Sequence, residues 1–151
     1  MKWLIATVFV LLAAAVAIYS YCPCSRLPGG HLLGAEATAP VADWTFANDV
    51  PLCQVEVDAG LPHSVNLNCM ATEGRLYLSC ASCDGKRWSG AVLDNPAARL
   101  RVGDVVYPVT LARVTDPAEL DVAWRARAAK TRSPADTPRP EGWWSFAVIS
   151  R

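Results

Sequence analysis

The sequence predicts a mainly β domain with some α structure: a six-stranded antiparallel barrel with one or two helices, preceded by an N-terminal transmembrane helix or signal segment. Residues 3–19 carry no charged side chain, and this length is near the lower limit for crossing a hydrocarbon core of about 30 Å. Several later segments alternate apolar and polar residues, as half-buried strands do. A short chain removes exposed sheet edges most economically by closing its sheet into a barrel.

The leader segment has two interpretations that give the same topology. Lys2 and the amino terminus put positive charge before the apolar segment, so an uncleaved anchor would keep its amino end in the cytoplasm. Ala15-Val16-Ala17 also fits the small-x-small rule for signal-peptide cleavage. In both cases the rest of the chain is extracytoplasmic, either anchored on the periplasmic face of the membrane or secreted. We therefore divide the chain into an anchor or signal peptide (1–21), an extended stalk (22–43) and a barrel domain (44–151).

The composition excludes one class of partner and favours oxidised cysteines. The formal net charge is zero, without the basic excess of nucleic-acid-binding domains, so we predict no nucleic-acid partner. Six cysteines in an exported chain favour disulfide bonds over free thiols.

Alignment of apolar faces predicts the register of the first two strands. In "LCQVEVDA" and "SVNLNCMA" the alternation puts Val57 opposite Val65 and Cys53 opposite Cys69. Directly opposed residues have Cβ atoms about 4.5–5.5 Å apart, close to the separation of about 3.5–4.5 Å that a disulfide needs. A Cys53–Cys69 disulfide is therefore predicted.

The next strand, "RLYLSCA", leads to a pair of cysteines at Cys80 and Cys83. Three interpretations are open: structural disulfides, half of a four-thiolate zinc site completed by the first two strands, or a redox pair. Export favours disulfides, with Cys83 bonded to a stalk cysteine, Cys22 or Cys24. We assign no metal site.

Two further features complete the predicted barrel. The pair Gly103-Asp104 marks the turn of a hairpin. The stretch "DPAELDVAWRARAAK" is a helix, in which Asp116 caps the amino end, Pro117 takes the first position and Glu119 completes a capping box.

Residues 74–120, "GRLYLSCASCDGKRWSGAVLDNPAARLRVGDVVYPVTLARVTDPAEL", contain three motifs in a familiar order. These are a basic pair with tryptophan at a helix start, then Asn95-Pro96, then the Asp-Pro-x-Glu helix start at Asp116. In this order the chain resembles the split β-barrel flavin-binding superfamily, which includes pyridoxamine-phosphate-oxidase-like and deazaflavin-dependent nitroreductase-like proteins. The resemblance covers about residues 50–150. It implies a split barrel, a flavin such as FMN or a deazaflavin as cofactor, and homodimer formation.

Two other sequence features qualify this resemblance. Flavin-binding relatives commonly carry Gly-Arg-x-Ser/Thr-Gly where this chain has "SVNLNCMATEG", which contains no arginine. The leader, "LPGG" (Leu27–Gly30) and "ADW" (Ala42–Trp44) also resemble a branch of membrane-anchored bacterial proteins, a resemblance that implies no established activity.

The predicted ligand site is a basic corner with polar strand residues beside it. Lys86 and Arg87 at a helix start would bind a phosphate with the backbone N–H groups. The residues that would line the ring side of the ligand are Trp88, Asn66, Asn68 and Ser79. The competing interpretation is a solvated turn with Trp88 in the core and a wet strand face. His31 and His63 have no carboxylate or serine partner at a recognisable spacing, so no catalytic residue is nominated.

Two functions follow from these patterns. The first is a membrane-tethered extracytoplasmic domain that binds a flavin-like or other planar phosphorylated ligand, and which, as an enzyme, would be a flavin-dependent reductase. The second is a non-catalytic interaction module or accessory subunit of a membrane complex, without a cofactor.

Overall fold

The computed structural model describes residues 2–21, 23, 27–134 and 136–151. Within these residues the chain forms three α-helices, one short 3-10 helix and seven β-strands. The helices are α1 (Lys2–Tyr21), α2 (Arg87–Asp94) and α3 (Pro117–Thr131), and the 3-10 helix is Thr45–Asp49. The strands are β1 (Ala35–Glu36), β2 (Cys53–Asp58), β3 (Pro62–Thr72), β4 (Arg75–Ala81), β5 (Ala97–Val102), β6 (Val105–Arg113) and β7 (Trp143–Ser150).

Six of the strands close into an antiparallel barrel, as the sequence predicts. Their order is β6-β5-β2-β3-β4-β7, and β7 pairs back onto β6. Each neighbouring pair is antiparallel, so closure gives these six strands two partners each and covers their edges. The two-residue β1 pairs in parallel with β6 on the outside.

The barrel core comes directly from the period-two alternation in the sequence. The buried inward side chains are mainly aliphatic: Val55, Val57, Leu67, Leu76, Leu78, Leu100, Val109, Leu111 and Phe146. Full burial of such a side chain contributes about 1.5–3 kcal/mol through its removal from water. Helix α2 closes one end of the barrel, where the rings of Trp88 and Phe146 lie 5.2 Å apart. The 3-10 helix covers the other end, where Trp44 packs 5.1 Å from Tyr107.

The predicted register of the β2–β3 hairpin is wrong by two residues. Val57 pairs with His63 rather than with Val65, and Cys53 pairs with Leu67 rather than with Cys69. A shift of two residues keeps every side chain on the same face, so apolar alignment does not distinguish the two registers. The turn between the strands determines the register. Gly60 has φ +84°, and its N–H donates to the Asp58 carboxylate at 3.0 Å. The resulting loop is shorter than the predicted one.

The disulfide prediction is confirmed for one pair and wrong for the other. Cys53 and Cys69 are bonded, with Cα atoms 5.7 Å apart, although they are diagonal rather than opposed. Cys83 bonds Cys80 and not a stalk cysteine. Ser82, between them, has φ +52° and folds the backbone so that the two Cα atoms lie 5.6 Å apart. The stalk cysteines 22 and 24 lie outside the described residues.

Helix α3 packs on the outer wall of the barrel and begins where predicted. The Asp116 carboxylate accepts the N–H of Glu119 at 2.8 Å. The predicted capping box is incomplete, because the Glu119 carboxylate binds Arg75 and accepts the Tyr77 hydroxyl at 3.1 Å. These contacts fix the start of α3 to β4, and Trp124 packs below them in a second apolar cluster.

Residues 27–43 lie along the barrel wall. Gly29 forms a β-bridge with Ser64, Leu32 is buried, and the segment then forms β1 beside β6. Gly34 passes so close to the β5–β6 turn that an added Cβ would meet the Asp104 carbonyl oxygen at 2.8 Å.

Helix α1 is long and apolar enough, by length and composition, to cross a membrane. Residues Lys2–Tyr19 have a mean hydropathy of 2.1, and none of this stretch is buried by the rest of the protein. Its end contacts the barrel, because the Tyr19 hydroxyl donates to the Pro62 carbonyl at 3.3 Å.

Candidate functional site

The basic corner predicted from the sequence lies at the start of α2, at one end of the barrel. Lys86 is the N-cap residue and Arg87 the first helical residue, and both are exposed. The Lys86 amine donates to the Ala81 carbonyl at 3.0 Å, and the Arg87 guanidinium donates to the Ala59 carbonyl at 3.0 Å. Within the described part of the chain neither cation takes part in a salt bridge. Their positive charge is therefore held in place and stays available to an anion.

A groove of about 460 Å³ separates this helix start from the β2–β3 turn. Its volume falls within the range of about 300–1,000 Å³ that is usual for small-molecule sites. Lys86, Arg87 and the glycines Gly60, Gly85 and Gly90 line it. Two carboxylates, Asp58 and Asp94, also line the groove and partly offset the positive charge.

Trp88 points away from this groove and into the barrel. Its exposure is 3%, and its ring packs on Phe146. In this geometry Trp88 closes the core rather than offering a face to a ligand, which favours the core interpretation left open by the sequence. Its contact with a ligand ring stays a prediction.

The polar strand residues lie on the outer wall, apart from the basic corner. Asn68 pairs across the strands with Ser79, whose buried hydroxyl lies 3.7 Å from the Met70 sulfur. Asn66 accepts a hydrogen bond from Gln54 at 3.0 Å and lines a different groove, of about 340 Å³. Lys86 and Arg87 thus lie together at the start of α2, and Asn68 lies beside Ser79. The predicted residues do not all line one cavity.

An ionic cluster that the sequence analysis did not find lies between β2, β5 and the segment before β1. Glu56 is 8% exposed. Its carboxylate accepts hydrogen bonds from Arg99 at 2.5 Å and from the Leu32 backbone N–H at 2.7 Å. The Nδ1 of His31 lies 2.9 Å from the other carboxylate oxygen, and Arg99 also binds Glu36. A groove of about 550 Å³ runs beside this cluster.

Strand order explains why this cluster was missed. Glu56 stands directly opposite Arg99 in the β2–β5 pair, yet the two strands are separated in the chain by β3, β4 and α2. Alternation identifies both residues as outward-facing, which is the only signal that the sequence carries for them. Their pairing depends on barrel closure.

His63 lies on the inner side of β3, opposite Val57. It is 7% exposed, and its Nδ1 is buried without a hydrogen-bond partner among the described residues. Burial lowers the pKa of His63, and the positive charge of Arg87 lowers this pKa further. Both effects favour the neutral form of His63 beside the basic corner.

The cysteines that the zinc interpretation needs are in disulfides in this structure. Cys53, Cys69, Cys80 and Cys83 form two bonds. Among the described residues no group of three or more His, Cys, Asp or Glu side chains is placed to hold a metal ion.

Comparison with known proteins supports the fold through structure alone. No known family profile matches the chain, and no curated protein matches it by sequence. Several solved structures match the barrel.

A provisionally assigned pyridoxamine 5′-phosphate oxidase from Listeria innocua superposes with a TM-score of 0.56 at 10% identity, over 70% of this chain and 88% of that chain. A FAD-binding protein from Mesorhizobium loti gives 0.51 at 12% identity, over 70% and 85%. A domain-swapped dimer gives 0.51 at 20% identity, over 65% and 79%. The chain therefore has the split β-barrel fold of the pyridoxamine-phosphate-oxidase-like flavin-binding proteins.

Proposed function

We propose that this protein is a membrane-tethered, extracytoplasmic split barrel that binds a flavin-like or other planar phosphorylated ligand at the groove beside α2. The observation that carries the proposal is the exposed pair Lys86 and Arg87, held by backbone carbonyls at the rim of that groove. Charge-assisted hydrogen bonds from lysine and arginine are strong, and the start of a helix favours an anion.

The groove fits the phosphate end of such a ligand better than its ring. The two cations and the first N–H groups of α2 would hold a phosphate. The ring-side residues predicted from the sequence are divided between the core and the outer wall, so a ring would lie along the glycine-lined floor near Gly60 and Gly90. A bound flavin would supply hydride or electron transfer. This chain would bind and orient the ligand.

The tether belongs to the same proposal. Helix α1 would anchor the protein, and its end lies against β3 through the Tyr19–Pro62 hydrogen bond. Two disulfides within the described residues favour an oxidising compartment. We therefore expect the barrel on the extracytoplasmic side, membrane-bound if the leader is retained and secreted if it is cleaved.

A second candidate is a non-catalytic accessory module of a membrane complex. The burial of Trp88 favours it, because no aromatic face of the predicted site is then offered to a ligand. The likeness to a domain-swapped dimer makes a homodimer a proposal for either function.

Native mass spectrometry and visible absorption spectroscopy of the detergent-extracted full-length chain together test both candidates. A bound phosphorylated ligand with the visible absorption of a flavin supports the first, and a colourless protein with a membrane-protein partner supports the second. The mass spectrum also gives the number of subunits and shows whether the leader is retained.

The Lys86→Ala/Arg87→Ala variant then tests the groove. We expect loss of the phosphorylated ligand, because its two cations are gone. Arg125→Ala, which removes an exposed cation on α3, should retain it. Full occupancy in the Lys86→Ala/Arg87→Ala variant would overturn the assignment of this groove.

A further inference from the structure

We propose that the Cys80–Cys83 disulfide is a thiol-exchange site, in which Cys80 carries the sulfur that a partner thiol attacks. The two disulfides of the described residues differ in exposure. Cys53, Cys69 and Cys83 are fully buried at 0%, whereas Cys80 is half-buried at the end of β4. Of these four residues, Cys80 alone keeps part of its surface exposed in the folded barrel, so we assign the attack to its sulfur.

Cations contact two neighbours of Cys80. The Lys86 amine binds the carbonyl of Ala81, the next residue, at 3.0 Å. Trp144 is the cross-strand partner of Cys80. The Arg113 guanidinium stacks on the Trp144 ring, 3.6 Å from its centre. Positive charge attracts the attacking thiolate and lowers the pKa of a nearby cysteine thiol, so this end of the barrel favours exchange.

Cys83 is placed to be the leaving group. Its carbonyl accepts the backbone N–H of Lys86 at 3.2 Å and the buried hydroxyl of Ser89. These bonds hold the backbone of residue 83 against the first turn of α2, and the positive end of the helix dipole favours a negative charge nearby.

The barrel depends less on this bond than on the other disulfide. Cys80 and Cys83 are 3 residues apart, whereas Cys53 and Cys69 are 16 apart. The shorter loop removes less entropy from the unfolded chain. The β4–β7 pairing from Leu76 to Ala81 has its own backbone hydrogen bonds, so the strand remains paired when Cys80 is reduced.

The exchange is balanced with a dithiol partner. One partner thiolate attacks Sγ of Cys80, the Cys80–Cys83 bond breaks, and Cys83 leaves as a thiolate that takes up a proton. The second partner thiol then attacks the partner sulfur of the mixed disulfide and releases Cys80 as a thiolate, which is also protonated. The partner dithiol is oxidised to a disulfide, and the protein's disulfide is reduced to two thiols. The partner class is an extracytoplasmic dithiol, either small or on a protein.

The test uses the full-length protein in detergent. The dithiol dithiothreitol is added at low concentration, free thiols are alkylated at intervals, and peptide mass mapping assigns each alkylated cysteine. We expect Cys80 and Cys83 to become alkylated while Cys53 and Cys69 remain bonded and the circular dichroism is unchanged. Parallel reduction of both disulfides, or reduction only with loss of structure, would overturn the proposal.

Single variants identify the attacked sulfur. With oxidised glutathione, Cys83→Ser should form a glutathione adduct at Cys80, and Cys80→Ser should form little at the buried Cys83. Equal adduct formation in the two variants would contradict the assignment.

A matched pair of arginine variants tests the electrostatic part. Arg113→Gln should slow reduction, by roughly up to tenfold, because the incoming thiolate loses a cation that attracts it. Arg127→Gln removes a similar stacked cation, 4.9 Å above Trp124, and should leave the rate unchanged. Equal rates in both variants would remove Arg113 from the proposal.

Discussion

The side-chain amine of Lys130 lies 3.6 Å from the Cys69 sulfur and donates to the Cys69 carbonyl at 2.5 Å. It also donates to the Ala47 carbonyl at 2.9 Å. One side chain near the end of α3 thus joins three parts of the fold: the helix, the 3-10 helix and the disulfide-bonded strand β3. Burial lowers the pKa of Lys130, and the negative charge of Asp49 opposes this shift.

The Lys130→Met substitution should destabilise the protein by about 1.5–3 kcal/mol, because a charged donor to two carbonyl oxygens is lost while the aliphatic stem is kept. Urea denaturation followed by tryptophan fluorescence measures the change. Arg125→Met, at an exposed position of the same helix, is the control and should change stability little. Equal stability of the two variants would show that the amine contributes nothing.

Removal of the buried disulfide by Cys53→Ala/Cys69→Ala should lower the free energy of unfolding by about 3 kcal/mol, the entropy term for a loop of about 15 residues. The Cys80–Cys83 disulfide closes a much shorter loop. Its removal by Cys80→Ala/Cys83→Ala should therefore lower the free energy of unfolding by about 2 kcal/mol. Chemical denaturation of both variants gives the ranking. A larger loss from the second variant would contradict the assignment of Cys53–Cys69 as the main covalent support.

The Arg99→Met substitution should destabilise the protein by about 3 kcal/mol, since it leaves the buried Glu56 carboxylate without its cation. Glu56→Leu/Arg99→Met removes both charges and should recover part of this loss. A double-mutant cycle with the single Glu56→Leu variant measures the coupling. Additive effects of the two substitutions would mean that the pair does not act as a unit.

Stability should fall as the pH drops below about 6.5, the ordinary pKa of histidine, through the contribution of His63. Because burial and Arg87 lower the pKa of His63 in the folded state, the unfolded chain binds the proton first, and acid favours unfolding until the folded-state pKa is reached. His63→Gln should reduce this slope, measured as the change in melting temperature between pH 7.5 and pH 5. An unchanged slope in His63→Gln would assign the acid sensitivity to other groups.

Local pattern was enough to predict the β5–β6 hairpin and the Asp116 cap of α3. Gly103 has φ +60° in the β5–β6 turn, and Val102 pairs with Val105 across it. These features depend on residues close in sequence, where side-chain periodicity and turn chemistry act directly. The bonding of Cys53 to Cys69 was also predicted, although the register beneath it was not, since diagonal neighbours in a twisted barrel also come within bonding distance.

The candidate site could be predicted only in part. The basic pair at the start of α2 was identified because it is contiguous in the chain. The Glu56–Arg99 pair was not, because alternation gives the face of each residue and not its neighbour on a strand distant in sequence.

The sequence by itself determined that period-two strands with inward aliphatic residues close into a six-stranded barrel, because the apolar pattern leaves one face of each strand to be buried. Tertiary structure alone decided which polar groups meet outside that core. Barrel closure places β2 beside β5. The turn at Gly60 selects one of two registers that bury the same apolar faces. The turn at Ser82 brings Cys83 close to Cys80, so that these two cysteines form the disulfide. The first of these choices depends on strands distant in sequence, and the other two depend on the backbone conformation at Gly60 and Ser82; a pattern of hydrophobicity encodes neither.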